Sequence, residues 1–423
     1  MIVLGERYTK ETDYLQITLR TIGLECQFVF AEDNFDLPSD MLSISEFFLQ
    51  KKEAEQLQER DLYYAFLEVP HLWQVRDDGL WGKIVHAGQK KAQIFFKKPI
   101  EKRFVERVEW LSEKGKVYKT DYYNKYGVVY CRGLRDEDEK LLLKSYYTSK
   151  GEEVISCNER TGSIILFEDG MVKFTFDSKR QFEKYMCEQL YATGESVIVT
   201  SLRLAEMFQE VAGKQVDNVI VMLNDPIEVE AYRLDYPLMV ANNCRTASCD
   251  ASTLKRFSYC SAMVPCINNI GDILILTASD KLENIETLVE CFPEKVFHIA
   301  APTKVSDKLW ALTNYANVKV YPVVKVEQLQ HLLEISDIYL DINHYREVDD
   351  IVIRASMGHM VILGFENTLH NRPYMLDECI FRQDDCEGFV AKLQEILESE
   401  STFRSVLLKQ QQQISSTTAA LFS

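Results

Sequence analysis

Two polar stretches in the C-terminal half of the chain carry side chains that could recognise a ligand. Each stretch follows a short apolar run of the kind that forms a buried β-strand. Amide, imidazole, carboxylate and guanidinium groups gathered in this way can orient a polar ligand in a cleft. The candidate residues for such a cleft are Asn343, His344, Glu347, Glu366, Asn367, His370, Asn371 and Arg372.

In an open parallel sheet, ligands bind outside the carboxyl ends of the strands. Both stretches should therefore face the same cleft, and the helix predicted after Glu347 would add backbone amides that can meet an anion. The alternative for each residue is structural, with Asn343 as a cap and Arg372 as a solvated charge. His344 and His370 could equally be surface imidazoles that have their own partners. Two polar stretches at successive strand ends favour the ligand-binding interpretation.

Signatures of common catalytic sites are absent from the sequence. It contains no GxSxG elbow, no P-loop, no GxGxxG, no HExxH and no kinase motif. The carboxylate pairs at 349–350 and 384–385 are more typical of helix N-termini than of a catalytic acid and base. The sequence therefore disfavours hydrolysis and phosphoryl transfer.

The elements that would position the cleft alternate regularly after Gly271. Alternation of strand-like and helical stretches at this spacing predicts right-handed βαβ units and a parallel sheet covered on both faces. The strands are predicted at 273–276, 296–299, 318–321, 338–341 and 361–365, and the helices near 281–291, 306–314, 326–335 and 348–357.

The middle of the chain has a different pattern. Between about residues 62 and 176, short aromatic and β-branched runs recur at intervals of about 8 to 12 residues, which is typical of an antiparallel β-meander. Polar turns separate these runs and place glycine where a hairpin needs a positive φ. These turn glycines are Gly115, Gly127, Gly151, Gly162 and Gly170.

The remaining segments predict an α/β domain that the meander interrupts. A helix is expected at 12–22 with Gly23 as its stop, followed by a strand at 26–30. Further strands are expected at 197–199, 219–223 and 238–240. The predicted organisation is 1–61 and 178–270 for the first α/β domain, 62–177 for the inserted sheet, 271–400 for the second α/β domain and 401–423 for a C-terminal helix or tail.

Composition narrows the partners and the compartment. The chain has 423 residues, a formal net charge of -17 and a pI near 5.0. Nucleic acid and anionic lipid are disfavoured as partners, because both require clustered Lys and Arg. The sequence has no apolar run of about 18 residues and no leader-like start, so we expect a cytoplasmic protein without direct membrane insertion.

The eleven cysteines favour a reducing compartment, since no CxxC pair is present. The densest group is Cys244, Cys249, Cys260 and Cys266. Its spacing matches no common zinc pattern and no histidine lies nearby. The sequence therefore predicts neither a metal site nor a cofactor.

Several runs resemble known families. The segments at 317–322, 338–342 and 361–363 look like the second domain of retaining GT-B glycosyltransferases. More closely, the chain resembles the stabilising, non-catalytic subunit of the O-GlcNAc transferase that glycosylates serine-rich-repeat adhesins in the accessory Sec system of Gram-positive bacteria. The runs that carry this resemblance are EDNFDLP at 32–38, FF at 47–48, VPHLW at 69–73, VEWL at 108–111, TDYYNKYG at 120–127, FHIAA at 297–301, DINH at 341–344 and FENTLHNR at 365–372.

This resemblance implies a GT-B architecture with two Rossmann-like domains and an inserted antiparallel β-meander domain. Active retaining members carry one Glu after a strand of the second domain and another eight positions later. Glu347 fits the first position, but the second holds Ala355. Active members also clamp the pyrophosphate with Arg and Lys after the first strand of this domain. The corresponding segment, 277–281, offers only Lys281 beside an opposing Asp280. Donor turnover should therefore be very weak or absent.

The leading hypothesis is a binding and stabilising subunit without catalytic residues of its own. A homologous catalytic O-GlcNAc transferase subunit would supply the donor site, and the meander would dock on it. The cleft would hold a serine-rich-repeat adhesin as acceptor polypeptide, with the complex peripheral on the inner face of the membrane through partners. The alternative is a retaining UDP-sugar glycosyltransferase that uses Glu347.

Overall fold

The computed structural model describes residues 1–33, 37–38, 40–50, 60–213, 218–234, 236–242, 244, 255–261 and 270–422. The chain divides into two compact units, each of which draws on several segments. The first unit comprises 1–8, 27–219 and 234–236, and the second comprises 9–26, 220–233 and 237–423. The domain boundaries predicted at residues 61, 177, 270 and 400 stay predictions.

The chain opens with alternating strands and helices, as expected. In the first unit, the first strand pairs in parallel with the second and the second with the third. The predicted helix and its stop at Gly23, where φ is 84°, are confirmed. The elements are β1 (Ile2–Gly5), α1 (Lys10–Thr21), β2 (Gln27–Phe30), β3 (Met41–Ser43) and α2 (Ile44–Gln50).

The predicted meander is confirmed as a ten-stranded sheet in which every strand follows its sequence neighbour. All five predicted turn glycines have a positive φ, between 74° and 80°. Gly127 also needs its missing side chain, because a Cβ there would lie 2.7 Å from the carbonyl oxygen of Arg60. The strands are β4 (Gln74–Asp77), β5 (Gly82–His86), β6 (Gln89–Phe96), β7 (Val105–Leu111), β8 (Val117–Tyr123), β9 (Val129–Arg135), β10 (Leu141–Tyr147), β11 (Glu153–Asn158), β12 (Ile164–Glu168) and β13 (Met171–Phe176).

Strands and helices alternate again after the meander, and the three predicted strands are confirmed. In the first unit, the 197–199 strand pairs in parallel with β1. In the second unit, the strands near 221, 239 and 256 pair in parallel with one another. The elements are α3 (Lys179–Tyr191), β14 (Val197–Val199), α4 (Leu202–Ala212), β15 (Val219–Leu223), α5 (Pro226–Ala231), β16 (Leu238–Ala241) and β17 (Lys255–Phe257).

The last part of the second unit is a six-stranded parallel sheet, which confirms all five predicted strands and adds one short strand at the edge. Its elements are β18 (Asp272–Leu276), α6 (Ile285–Cys291), β19 (Phe297–Ala300), α7 (Asp307–Ala311), β20 (Val318–Tyr321), α8 (Val326–Ile335), β21 (Ser336–Asp341), α9 (Ile351–Met357), β22 (Val361–Phe365), β23 (Ile380–Phe381), α10 (Cys386–Glu398) and α11 (Glu400–Ala419). The 3-10 helices in the described residues are Tyr64–Phe66, Ile100–Lys102, Leu312–Asn314, Arg372–Tyr374 and Asp377–Cys379.

Burial explains why the sequence predicts the strands of this sheet. Every residue of β19 and of β22 is buried, because helices cover both faces of the sheet. Such strands appear as continuous apolar runs and not as alternating ones. Their side chains join one core with α10 and α11, which includes Phe365, Phe389 and Phe403.

The glutamine-rich segment near the C-terminus belongs to this core. Gln410 is buried in α11, where its side-chain amide donates to the carbonyl oxygen of Met360 at 3.0 Å and accepts from the backbone amide of Ile362 at 3.2 Å. The side chain thus satisfies two backbone groups at the start of β22. No helix in the described parts of the chain combines the length and the apolar surface that crossing a bilayer requires.

Candidate functional site

The candidate residues lie where the strand order of the six-stranded parallel sheet reverses. β19 and β20 lie on one side of β18, whereas β22 and β23 lie beyond β21. Loops that leave β18 and β21 in opposite directions open a crevice at this point, where ligands of open α/β sheets bind. Thr277 follows β18 and Asn343 follows β21, and the Thr277 hydroxyl oxygen lies 3.0 Å from Asn343 Oδ1. The loops that follow β18 and β21 therefore meet at one edge of this sheet.

Asn343 holds its own loop in shape. Only 2% of the residue is exposed. Its Oδ1 also accepts from the backbone amide of Tyr345 at 3.1 Å, and its Nδ2 donates to the carbonyl oxygen of Arg346 at 3.3 Å. These are contacts of a turn-forming asparagine, so the structural alternative describes Asn343 well.

A buried ion pair joins the end of β21 to the 366–372 loop. Asp341, the last residue of β21, is fully buried, and its Oδ1 lies 2.5 Å from His370 Nδ1. Asp341 Oδ2 accepts from the backbone amide of His370 at 2.8 Å. The other ring nitrogen faces the carbonyl oxygen of Tyr345. An ionised carboxylate and a carbonyl can only accept, so these two contacts suit an imidazolium ring that donates from both nitrogens.

The pKa of His370 agrees with this protonation state. Burial lowers the pKa, but the hydrogen bond and charge of Asp341, the Tyr345 carbonyl and the charge of Glu347 together raise it above the ordinary value of 6.5. The upward shift favours the charged form of the ring, and the pair holds the 366–372 loop to the end of β21.

This raised pKa predicts that the pair stabilises the fold more at low pH than at high pH. For a group whose pKa is raised by folding, the stabilisation is complete below the unfolded pKa and is lost as the pH rises through the folded pKa. The wild type should therefore have a higher thermal unfolding midpoint than His370→Gln. The difference should be largest at about pH 6 and smallest at about pH 9. A difference that stays constant over this range would contradict the imidazolium assignment.

Glu347 is engaged on both carboxylate oxygens. Its Oε1 accepts from the backbone amide of Val352 in the first turn of α9 at 3.1 Å, and its Oε2 accepts from Asn371 Nδ2 at 2.5 Å. Burial raises the pKa of Glu347, the two hydrogen bonds lower it, and the charges of Asp350 and Asp341 raise it, for a net upward shift. Glu347 and Asn371 thus form a second connection between the two loops.

A third connection lies at the surface. Glu283 Oε2 lies 2.7 Å from His344 Nε2 and accepts from Asn367 Nδ2 at 2.8 Å. The ring of His344 is about one-third exposed, and Asn367 and the neighbouring Tyr345 are exposed. This group presents imidazole, amide and phenol side chains to solvent, and the Glu283 carboxylate, of which 14% is exposed, links the first two. We call His344, Tyr345, Asn367 and Glu283 the switch-point surface.

Two of the predicted residues are not drawn into these networks. Arg372 is largely exposed and donates to Asp377 Oδ1 at 3.0 Å, which matches its interpretation as a solvated charge. Glu366 is exposed, and only its backbone amide is held, by the carbonyl oxygen of Phe381. In the described parts of the chain, no hydrogen bond joins either side chain to the other predicted residues.

The segments to which the resemblance assigns donor binding make contacts within the chain. Ala355 lies in α9 and is fully buried, so its methyl group is part of the core. In the 277–281 segment, the Thr277 hydroxyl donates to the carbonyl oxygen of Ser279 at 2.6 Å, and Asp280 accepts from the Ser306 hydroxyl at 3.3 Å. These bonds hold the loop to itself at Ser279 and to Ser306.

Sequence reasoning missed Asp341, Glu283 and Tyr345 as members of these networks. Asp341 carried a signal, because a carboxylate that ends a buried strand needs donors nearby. Glu283 carried none, since its partner Asn367 is 84 residues away in the sequence.

The described residues contain no group of three or more His, Cys, Asp or Glu side chains that could hold a metal ion. Of the four clustered cysteines, Cys244 and Cys260 are buried, and Cys260 is a free thiol. Cys249 and Cys266 lie outside the described residues.

Two family models match the chain. Residues 73–177 match the GtfB middle domain, and residues 273–411 match the GftB/GlyA-F C-terminal domain. The second match contains every residue of the switch-point surface.

Full-length relatives agree with these matches. The chain is 31% identical, over 92% of its length and 91% of the relative's, to the UDP-N-acetylglucosamine–peptide N-acetylglucosaminyltransferase stabilizing protein GtfB of Streptococcus agalactiae. It is 29% identical to the protein of the same name from Streptococcus gordonii, over 97% of the chain and 94% of the relative.

Solved structures extend the likeness to three dimensions. A chain in the crystal structure of a GtfA/B complex bound to UDP and GlcNAc is 28% identical, with a TM-score of 0.59 over 100% of this chain and 98% of that one. A mutant of S. aureus TarM, crystallised with UDP and two further ligands, is 11% identical and has a TM-score of 0.53 over 100% of this chain and 98% of that one. At that identity the likeness shows the fold alone.

Proposed function

Because the chain belongs to the family of GtfB stabilizing proteins of peptide N-acetylglucosaminyltransferases, we propose that it steadies a homologous catalytic subunit and holds the acceptor polypeptide for it. It has the GT-B architecture predicted from the sequence, which it shares with active glycosyltransferases. The relatives are named as stabilizing proteins of the transferase, which is the role of a non-catalytic subunit. Binding of the acceptor and the identity of that acceptor are our proposal.

The proposal is supported by the two positions at which the resemblance to retaining GT-B enzymes implies donor-binding carboxylates. Ala355 replaces the second carboxylate and is fully buried, so no side chain there can bind a ribose. Glu347, the carboxylate that remains, has both oxygens engaged by Val352 and Asn371. A diphosphate or ribose without partners would lose several hydrogen bonds, each of which contributes about 1 kcal/mol or more. These contacts argue against the alternative of an active enzyme that uses Glu347.

The switch-point surface supports a role in acceptor binding. Its imidazole, amide and carboxylate groups can donate to and accept from the hydroxyl and amide groups of a Ser/Thr-rich polypeptide. The buried Asp341–His370 and Glu347–Asn371 pairs fix both loops from below, so the surface is ordered before a ligand arrives. We therefore propose that the cleft residues Asn343, Glu347, His370 and Asn371 position this surface and do not touch the acceptor.

Removal of two side chains from this surface should weaken acceptor binding without unfolding the chain. The double variant His344→Ala/Asn367→Ala loses two polar contacts, which corresponds to roughly a tenfold weaker affinity for a Ser/Thr-rich polypeptide. Affinity can be measured by calorimetry or by retention on an immobilised polypeptide.

His331→Ala is the matched control, because His331 is exposed on α8 and is not part of the surface. The control should bind the polypeptide as the wild type does. Equal affinity of the double variant and the control would show that the acceptor binds elsewhere.

The ten-stranded sheet is the proposed docking element for the catalytic subunit. Its edge strand β13 exposes Met171, Val172 and Phe174. An edge strand with unpaired backbone groups and exposed apolar side chains readily pairs with another protein. The likeness to a chain of the GtfA/B complex supports a homologous partner.

We further propose that the acceptor is a serine-rich-repeat adhesin and that the complex works on the cytoplasmic side of an accessory Sec system, attached to the membrane only through partners. Free thiols such as those of Cys131, Cys187 and Cys260 are compatible with a reducing compartment. The uncharged hydroxyl-rich acceptor is also compatible with the strongly acidic chain.

A further inference from the structure

A pocket of about 440 Å³ lies in the first unit, between β3 and α2 on one side and the meander on the other. The meander side comes from the hairpin that joins β8 to β9 and from the residues that follow β6. Two of the runs that carry the family resemblance, 32–38 and 120–127, contribute lining residues, although the proposed function uses neither run. The volume lies within the range of ligand sites, about 300–1,000 Å³.

The lining of this pocket is rich in cations for so acidic a chain. Lys97, Lys98 and Lys125 contribute three ammonium groups, whereas Glu46 contributes the one carboxyl group of the lining. Asp61 Oδ1 lies 2.5 Å from Lys97 Nζ and neutralises that ammonium group. Lys98 and Lys125 are then opposed by Glu46 alone, which leaves an excess of one positive charge in a chain whose net charge is -17. A local positive charge of this kind attracts an anion.

Hydroxyl and carboxyl groups of the lining also suit an anion. Four tyrosines line the pocket, and burial raises the pKa of Tyr123 and of Tyr130, so these phenols stay protonated and can donate. Burial likewise raises the pKa of Glu46, whereas its hydrogen bonds with Ser43 lower it, for a net upward shift. This shift moves Glu46 toward its neutral form, which can donate to an anion and repels it less.

The side formed by β3 and α2 is apolar. Met41, Leu42 and Leu49 line the pocket there and are buried. Leu37 and Pro38, which precede β3, extend this aliphatic wall. A bare inorganic anion would leave the wall in contact with water, whereas a ligand with an apolar body would cover it and gain free energy from the burial. The pocket therefore suits an anion that is joined to an apolar group.

We propose that this pocket binds a small organic anion in which one carboxylate, phosphate or sulfonate group is joined to an apolar body. The charged group lies at Lys98 and Lys125, and the body packs against the aliphatic side chains of β3 and α2. Such a ligand contacts both α2 and the β8–β9 hairpin, so its binding stabilises the folded first unit. The inference is independent of the proposed function, which assigns no ligand to this pocket.

The test uses the full chain and anilinonaphthalene sulfonate, an amphipathic anion whose fluorescence reports binding to an apolar site. The wild type should bind the probe saturably, and Lys98→Glu/Lys125→Glu should bind it at least tenfold more weakly, because attraction is replaced by repulsion. The matched control is Lys140→Glu/Lys150→Glu, which makes the same change of net charge at exposed lysines of the meander outside the pocket. This control should bind the probe as the wild type does.

Further probes separate charge from shape and identify the apolar body. The uncharged analogue N-phenylnaphthylamine should bind equally to the wild type and to Lys98→Glu/Lys125→Glu, whereas Gln50→Trp, which fills the pocket from its rim, should weaken both probes. Displacement of the sulfonate by decanoate indicates an aliphatic acid as the ligand, and displacement by phenyl phosphate indicates an aromatic phosphate.

Three results would overturn the inference. They are no saturable binding of the sulfonate by the wild type, equal affinity of the two lysine double variants, and displacement by neither decanoate nor phenyl phosphate.

Discussion

Replacement of Asp341 by alanine is expected to lower the free energy of unfolding by about 3 kcal/mol, because a buried ion pair broken on one side leaves the other group without its partner. His370 would lose the acceptor of its ring N–H and the acceptor of its backbone amide. The 366–372 loop would then be released from the end of β21, so affinity for the acceptor polypeptide should fall together with stability.

Chemical or thermal unfolding of purified variants measures this effect. Asp377→Ala is the matched control, because it removes an aspartate whose ion pair with Arg372 is largely exposed, and exposed pairs contribute about 1 kcal/mol or less. Asp341→Asn keeps the shape of the side chain and should lie between the two. An Asp341→Ala variant as stable as Asp377→Ala would show that the buried pair does not hold the loops.

The second large effect is expected from Ala355→Glu, which restores the carboxylate spacing of active relatives. Ala355 is fully buried in α9, so the longer side chain must displace core atoms and the carboxylate must leave water. Overpacking and burial of a charge without a partner should together destabilise the chain by more than about 3 kcal/mol. The variant should also fail to bind UDP, since the 277–281 segment offers Lys281 as its one cation, beside the carboxylate of Asp280.

Ala311→Glu provides the comparison, because Ala311 is exposed in the last turn of α7 and a glutamate there should change stability by about 0.5 kcal/mol or less. A stable Ala355→Glu protein with saturable UDP binding would mean that the donor site is blocked by one residue and not remodelled.

The sequence predicted the architecture well because its signals are local. Fully buried parallel strands such as Val361–Phe365 are continuous apolar runs, and the turns of the meander are marked by glycines such as Gly127 that no other residue replaces easily. Local patterns of this kind do not depend on how the strands are ordered.

The candidate site was less predictable, because its contacts depend on strand order. Asn367 meets Glu283 only because the strand before each loop lies near the reversal between β18 and β21. Spacing along the chain gave no reason to select Glu283. The spacing also does not show which predicted residues are exposed. Asn343 and His370 make hydrogen bonds within the chain, whereas the ring of His344 is about one-third exposed.

The most direct test of the account is transfer of N-acetylglucosamine from UDP-N-acetylglucosamine to a Ser/Thr-rich polypeptide, measured for the purified chain alone, for its catalytic partner alone and for the mixture. We expect no transfer by this chain alone, and faster transfer by the mixture than by the partner alone. Robust transfer by this chain without the partner would contradict it.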